Sequence, residues 1–266
     1  MKKSKKMVAL VMALCMGTSL IAPASATGAD DGLKEGISEV ITEVSDFSGN
    51  TQDDNMIPGV EVKEVNGVRT AISSDDYAEY TISFDRNAMA LSIVIKELST
   101  GTETSTTVYA SDIELMSLTR ASSSVYTSSL YAYERTKSST GTEWYLQRPK
   151  MESEGEGSYY FKCWENNSNS SELNAFKVAV EDLYQKETEL VAAAGALSGT
   201  MFVTGILGLF ISAGTAGLAA PAVAALIASI GLTGPAVIAA DAVALQCNTC
   251  FEKIEDVFYA TDNMHS

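Results

Sequence analysis

The sequence predicts an α+β fold: an antiparallel β-rich meander domain followed by a C-terminal helical domain with an apolar Gly/Ala-rich helical hairpin. Three observations carry this reading. Short alternating runs of Thr, Ser, Val, Ile and Tyr fill 60–166, apolar residues recur at helical spacing from Leu173, and no charged side chain occurs in 190–240. Alternation with period two marks half-buried strands, and a period near 3.6 marks helices.

Taken in chain order, Lys2, Lys3, Lys5 and Lys6 precede an apolar run, 7–21, that ends at Ala24-Ser25-Ala26. A charged, an apolar and a small-residue region in that order predict a cleaved signal peptide over 1–26 and a secreted protein. The apolar run is too short to span a bilayer as a helix, and Cys15 within it reads as apolar filler. A polar N-terminal segment follows over 27–58, with one short helical pattern at Leu33, Ile37, Val40, Ile41 and Val44. An ordered short helix and a poorly ordered mature N-terminus are both open for it.

The β domain is placed at 59–167. Strand-like runs lie at 80–84, 90–98, 104–110, 129–135, 143–148 and 158–164, and the reading is a meander of six or seven strands. Asp85-Arg86-Asn87, Ser99-Thr100-Gly101, 138–141 and 154–157 read as turns. Aromatics are dense here: Tyr126, Tyr131, Tyr133, Trp144, Tyr145, Tyr159, Tyr160, Phe161 and Trp164. Cross-strand packing is the favoured role for them, with a carbohydrate-binding platform as the other.

The helical domain is placed at 168–266. Leu173, Phe176, Val180, Leu183 and Tyr184 predict an amphipathic helix capped by Ser170 or Ser171. The charge-free run of 51 residues, 190–240, divides at 213–217 and at Thr233-Gly234-Pro235. Helices are expected near 190–213, 216–232 and 235–260, the first long enough to cross a bilayer. Small residues recur along the run, and Gly195, Gly199, Gly205, Gly208, Gly214 and Gly217 are the candidates for hairpin packing and membrane insertion. Beyond Asp241, charged residues interleave with Phe251, Ile254, Val257 and Phe258 in an amphipathic end.

Composition narrows the function classes. The chain carries a formal charge of −16, and loss of the four signal-peptide lysines leaves 14 basic against 34 acidic residues, near −20. Such a polyanion repels phosphate backbones, so no nucleic-acid partner is expected, and any membrane attraction must be hydrophobic. His265 is the sole histidine, which removes histidine-based triads and histidine-rich metal sites. The expectation is a non-enzyme with no catalytic residues, no cofactor and no metal. Cys163, Cys247 and Cys250 remain after cleavage and allow at most one disulfide in an exported protein, local or between the halves of the chain.

The lysine-rich signal peptide, polar body and Gly/Ala-rich apolar C-terminal region together resemble the large secreted bacteriocins of Gram-positive bacteria, including the geobacillin type. The stretch Asp241-Ala242-Val243-Ala244-Leu245-Gln246 resembles the apolar toxin region of sporulation-delaying killing-factor precursors. The resemblance implies killing of related bacteria by membrane damage, without an enzymatic site. From the residues themselves, 190–240 could be a buried core element, a permanent anchor, or a shielded segment that later inserts into a target membrane. Both flanks of the run are acidic, whereas an anchor carries a Lys/Arg cluster on its cytoplasmic side, and the third reading is preferred. The expected partners are the target bacterial membrane, a surface receptor and a cognate immunity protein. The alternative is a non-enzymatic surface or cell-wall-binding protein in which the hairpin packs or anchors.

Overall fold

The computed structural model describes residues 57–109, 125–149, 158–213 and 218–262, all within one compact unit, Gln52–Ser266. The expected signal peptide, the expected 33–44 helix and 154–157 turn, Gly214, Gly217 and His265 lie outside the described residues.

The fold is α+β, with antiparallel sheets followed by helices. Nine described strands form two separate meanders, where the sequence reading expected a single one of six or seven. The first sheet runs in order through β1 (Glu61–Val65), β2 (Val68–Ser74), β3 (Ala78–Asp85), β4 (Ala90–Glu97) and β5 (Glu103–Tyr109). The second runs through β6 (Val125–Thr127), β7 (Ala132–Ser138), β8 (Gly141–Pro149) and β9 (Ser158–Trp164). Alternation specifies strands but not how many share a sheet, which is why the split escaped the sequence reading.

Turn chemistry sets the registers. Val65 pairs with Val68 across Asn66-Gly67, both at positive φ (54° and 81°), the pairing expected of an Asn-Gly hairpin loop. That dipeptide was the available signal for β1 and β2, which the strand runs missed. Between β3 and β4, Asp85 Oδ1 accepts hydrogen bonds from the backbone N–H groups of Asn87 and Ala88, closing the expected turn as an Asx-turn.

Four described helices follow: α1 (Ser170–Ala194), α2 (Ala196–Ala213), α3 (Ala220–Ile230) and α4 (Pro235–Asp262). Asn169, not Ser170 or Ser171, occupies the N-cap of α1, and its side chain makes no cap hydrogen bond. Instead its Oδ1 accepts from the Asn166 N–H, and its Nδ2 donates to the Trp164 carbonyl and to Thr261 Oγ1. The start of α1 is thereby tied to the end of β9 and to α4.

The expected continuous helix over 190–213 is broken. Gly195, at φ 82° and ψ 157°, sits in a region essentially reserved for glycine, so α1 ends at Ala194 and a separate 18-residue α2 begins at Ala196. At 1.5 Å per residue α2 is ~27 Å long, short of the ~30 Å hydrocarbon core. None of the described helices is long and apolar enough to cross a membrane.

Alternate residues of the first sheet face inward: Ile82 and Phe84 on β3, Leu91 and Ile93 on β4, Val108 on β5, all buried. Against this face lie α3, over β2 and β3, and α2, over β4 and β5. On the second sheet Tyr133, Trp144 and Leu146 point inward, and the closely paired α1 and α4 contact its strands. Tyr131 meets Phe176 and Phe210 edge-on at 6.5 Å, and Phe161 lies 5.7 Å from Phe258. One hydrophobic cluster therefore runs through both sheets and all four helices.

Candidate functional site

The charge-free run occupies α2, α3, their flanks and the first turns of α4. A mixed polar surface ordinarily keeps a helix soluble; here neighbouring elements supply the cover. Met201, Phe202, Ile206, Leu209 and Phe210 of α2 are buried, and in α3 every residue from Ala222 to Ile230 except Ala224 is buried. At Gly205 an added methyl would fall inside the Leu226 side chain, so this glycine sets the approach of α2 to α3. At Gly208 the methyl would lie 2.6 Å from Ile93 Cδ1 and 3.2 Å from Val108 Cγ2, so this one seats α2 on the sheet. At Gly199 it would lie 3.0 Å from Val191 Cγ2, where the first turn of α2 folds back on the last turn of α1. Gly195 faces open space, and its role is conformational. Spacing alone grouped these four; the structure gives Gly199, Gly205 and Gly208 each a different neighbour and Gly195 none.

Polar contacts hold both ends of α3. Asn248 of α4 accepts from the Leu218 N–H at 2.7 Å and donates to the Leu218 carbonyl at 3.3 Å, a two-point grip on the chain entering α3. Ser73 Oγ of β2 donates to the Pro221 carbonyl at 2.6 Å. At the other end Gly231, left-handed at φ 81°, donates to the carbonyls of Ile227 and Ala228, while the Leu232 N–H reaches Ile227. This is a glycine-terminated helix end. The guanidinium groups of Arg69 and Arg86 flank Gly231, placing cations at the negative end of the helix dipole. A cleft of about 320 Å³ opens beside the entry to α3, with Tyr80, Ile95, Leu209 and Leu218 among its walls and Asp76 and Glu97 at its edge.

A buried polar cluster lies between α1, α4 and the segment leading into β7. Glu187, 3 % exposed, accepts hydrogen bonds from the Ser129 N–H and Oγ–H at 3.0 to 3.1 Å. Burial pushes its carboxyl up to about 7, and the Ser129 hydrogen bonds only partly oppose that. Cys247 and Cys250, one turn apart on α4, are free and buried beside it; burial, then charge interactions including that of Glu187, raises both thiols far above their usual range. Cys163 is also free and buried, pushed by burial up to about 11 against a hydrogen bond with Thr261. No bridge joins any two of the three. Such thiols carry little thiolate and are poor nucleophiles and metal ligands. Nothing in its amphipathic helical pattern singled out Glu187.

The aromatics of the second sheet separate into two sets. Tyr131, Tyr133 and Trp144 are core residues, with Tyr133 donating to Glu181 Oε1 at 2.7 Å and the Trp144 indole donating to Glu165 Oε2 at 2.9 Å. Tyr145, Tyr160 and Trp164 are exposed. The side chains of Tyr126 and Tyr159 lie outside the described residues. Compared with known proteins, the chain matches no protein-family model and no curated protein.

Proposed function

We propose that this is a secreted antibacterial protein, a bacteriocin, that kills related bacteria by inserting its charge-free helical segment into the target membrane. The observation that carries the reading is concealment. A run of 51 residues without a charge is folded as the end of α1, α2, α3 and the start of α4, and most of its α2 and α3 residues are buried between the first sheet on one side and α1 and α4 on the other. A core element needs an apolar face; one with no charged residue on any face also meets the solvation demands of a bilayer interior. The break at Gly195 fits the same reading. With Gly195 helical, 190–213 would form an uninterrupted apolar helix of about 24 residues, past the ~20 needed to span. The folded form then stores a membrane-length element in two shorter pieces. The acidic surface keeps the secreted form soluble and monodisperse, and the sheets stand as the part that meets a surface receptor. A small membrane protein made by the producer would serve as cognate immunity factor.

The test needs a substitution that the folded protein tolerates and a bilayer does not. Gly205→Glu is unsuitable, because Leu226 fills the space and the fold would fail. Leu197 on α2 and Ile238 on α4 lie within the run yet are 60 % and 65 % exposed, where a polar replacement usually shifts stability by no more than ~0.5 kcal/mol. Buried in hydrocarbon, the same carboxylate costs about 2.5–3.5 kcal/mol near the centre of a spanning helix. Leu197→Glu and Ile238→Glu are expected to melt like the wild type while releasing dye from lipid vesicles at least about tenfold more slowly. Val65→Glu, at an exposed site on β1, should release dye normally. Wild-type rates from both run variants would mean that α2 and α3 serve only as a packed core, as in a non-lytic surface protein.

A further inference from the structure

The outer face of the second sheet presents a small grid set by its registers. Thr136, Glu143 and Trp164 form one row, Glu134, Tyr145 and Lys162 the next, and Ala132, Gln147 and Tyr160 the third, in which Ala132 and Gln147 are buried and only Tyr160 is exposed. Each row carries one aromatic ring, and all three rings are about half exposed, at 49 %, 42 % and 51 % in the same order. Rows lie ~7 Å apart along the strands, so the rings span the length of a short oligomer. Tyr145 and Tyr160 stand with centroids 5.3 Å apart and planes inclined at 37°. Between the rings Lys162 Nζ pairs with Glu143 Oε1 at 2.7 Å.

Trp164 is held in place before any ligand arrives. Its ring lies against Gly141, where a methyl would come within 3.5 Å of it, and its carbonyl accepts from the side-chain amides of Asn166 and Asn169. Gly141 also takes φ 146° as the first residue of β8, paired with Ser138 across the two-residue turn Ser139-Thr140, so both its backbone angle and the ring over it disfavour a side chain. Fixed rings lose little entropy on binding.

We propose that this face binds a neutral saccharide chain. Rings that alternate with charged hydrogen-bonding groups do not resemble the centre of a protein–protein interface, where Lys and Glu are depleted, and covering the Lys162–Glu143 pair with protein would desolvate both charges. A pyranose satisfies both halves of the pattern: its C–H face stacks on an aromatic ring, while its hydroxyls exchange hydrogen bonds with Glu143, Lys162 and Glu134. The charge of −16 sets the chemistry further, since it opposes polyanionic glycans and nucleic-acid bases that could use the same rings. This inference does not depend on the membrane reading, because the grid lies on the second sheet and the charge-free segment packs on the first.

The experiment is a titration of the purified chain with N-acetylglucosamine tetramer and with cellotetraose, followed by tryptophan fluorescence and calorimetry. Trp164 should report a saturable change with at least one of them, while buried Trp144 stays silent. Trp164→Ala and Tyr160→Ala are each expected to weaken binding about tenfold or more, without loss of cooperative melting and with vesicle dye release unchanged, since the vesicles carry no sugar. Absence of saturable binding to both tetramers overturns the proposal, as does wild-type affinity in both variants. A wild-type dimer that these substitutions convert to monomer would also overturn it, by showing that the face joins two copies of the chain.

Discussion

Glu187 is the residue at which burial and charge conflict most directly. Its carboxyl is raised from an ordinary value of 4.5 to about 7 by burial, so between those values the folded state binds a proton that the unfolded state does not. Its contribution is therefore fully present below about pH 4.5 and is lost as pH rises through 7, a swing of about 3 kcal/mol. Glu187→Gln keeps an oxygen for the Ser129 donors and carries no charge. Relative to this variant, the wild type is expected to lose stability from pH 5 to pH 8, read as the difference between the two urea midpoints. A pH-independent difference would mean that water or a local shift already solvates the carboxylate. Acidification thus tightens this contact, and release of α1 by low pH is not expected from it.

At the level of elements, the join between α1 and α2 is set by one residue. The Gly195 N–H donates to the Val191 carbonyl, and the Gly199 N–H donates to the Gly195 carbonyl, both at 3.0 Å, so the helical ladder resumes immediately on either side of the break. An alanine at 195 would meet no neighbour within 4 Å; its cost is the positive φ alone, ~1–3 kcal/mol, while an unbroken helix would gain from alanine over glycine. Gly195→Ala is therefore expected to lower the melting temperature by roughly 2–8 °C and to speed dye release from vesicles beyond that of a variant equally destabilised in the first sheet. Equal release by the two would mean that straightening at 195 is not on the path to the membrane.

For the molecule as a whole, the consequence lies in the shared core. Moving α2 and α3 off the first sheet would uncover Ile82, Phe84, Leu91 and Ile93, so the proposed insertion requires more than a local event at the helix tips. The three free thiols report on this: all are buried, and both burial and a low thiolate fraction protect them. The folded chain in solution is expected to resist a charged thiol reagent at pH 8 and to react fully in denaturant. On addition of vesicles, Cys247 and Cys250 of α4 should become reactive in step with dye release. Continued protection during release would place the permeabilising element elsewhere.

The sequence by itself determined the fold class, the positions of most strands, the extent of α4 and the charge-free run, because each rests on local periodicity, turn chemistry or composition. Even there Asn66-Gly67 was an unused signal for β1 and β2. What only the tertiary structure decided is which of two equally plausible faces becomes covered. Trp144, Leu146 and Cys163 alternate with Tyr145, Tyr160 and Trp164 along the same strands, and packing against the helices alone makes the first set core and the second surface. Likewise Gly195 looks like any small residue in a helical run, and Glu187 like any charge on an amphipathic helix. The break at the first and the burial of the second arise where α2 must turn onto the sheet and α1 must pack beneath Ser129, which are long-range contacts that no local pattern encodes.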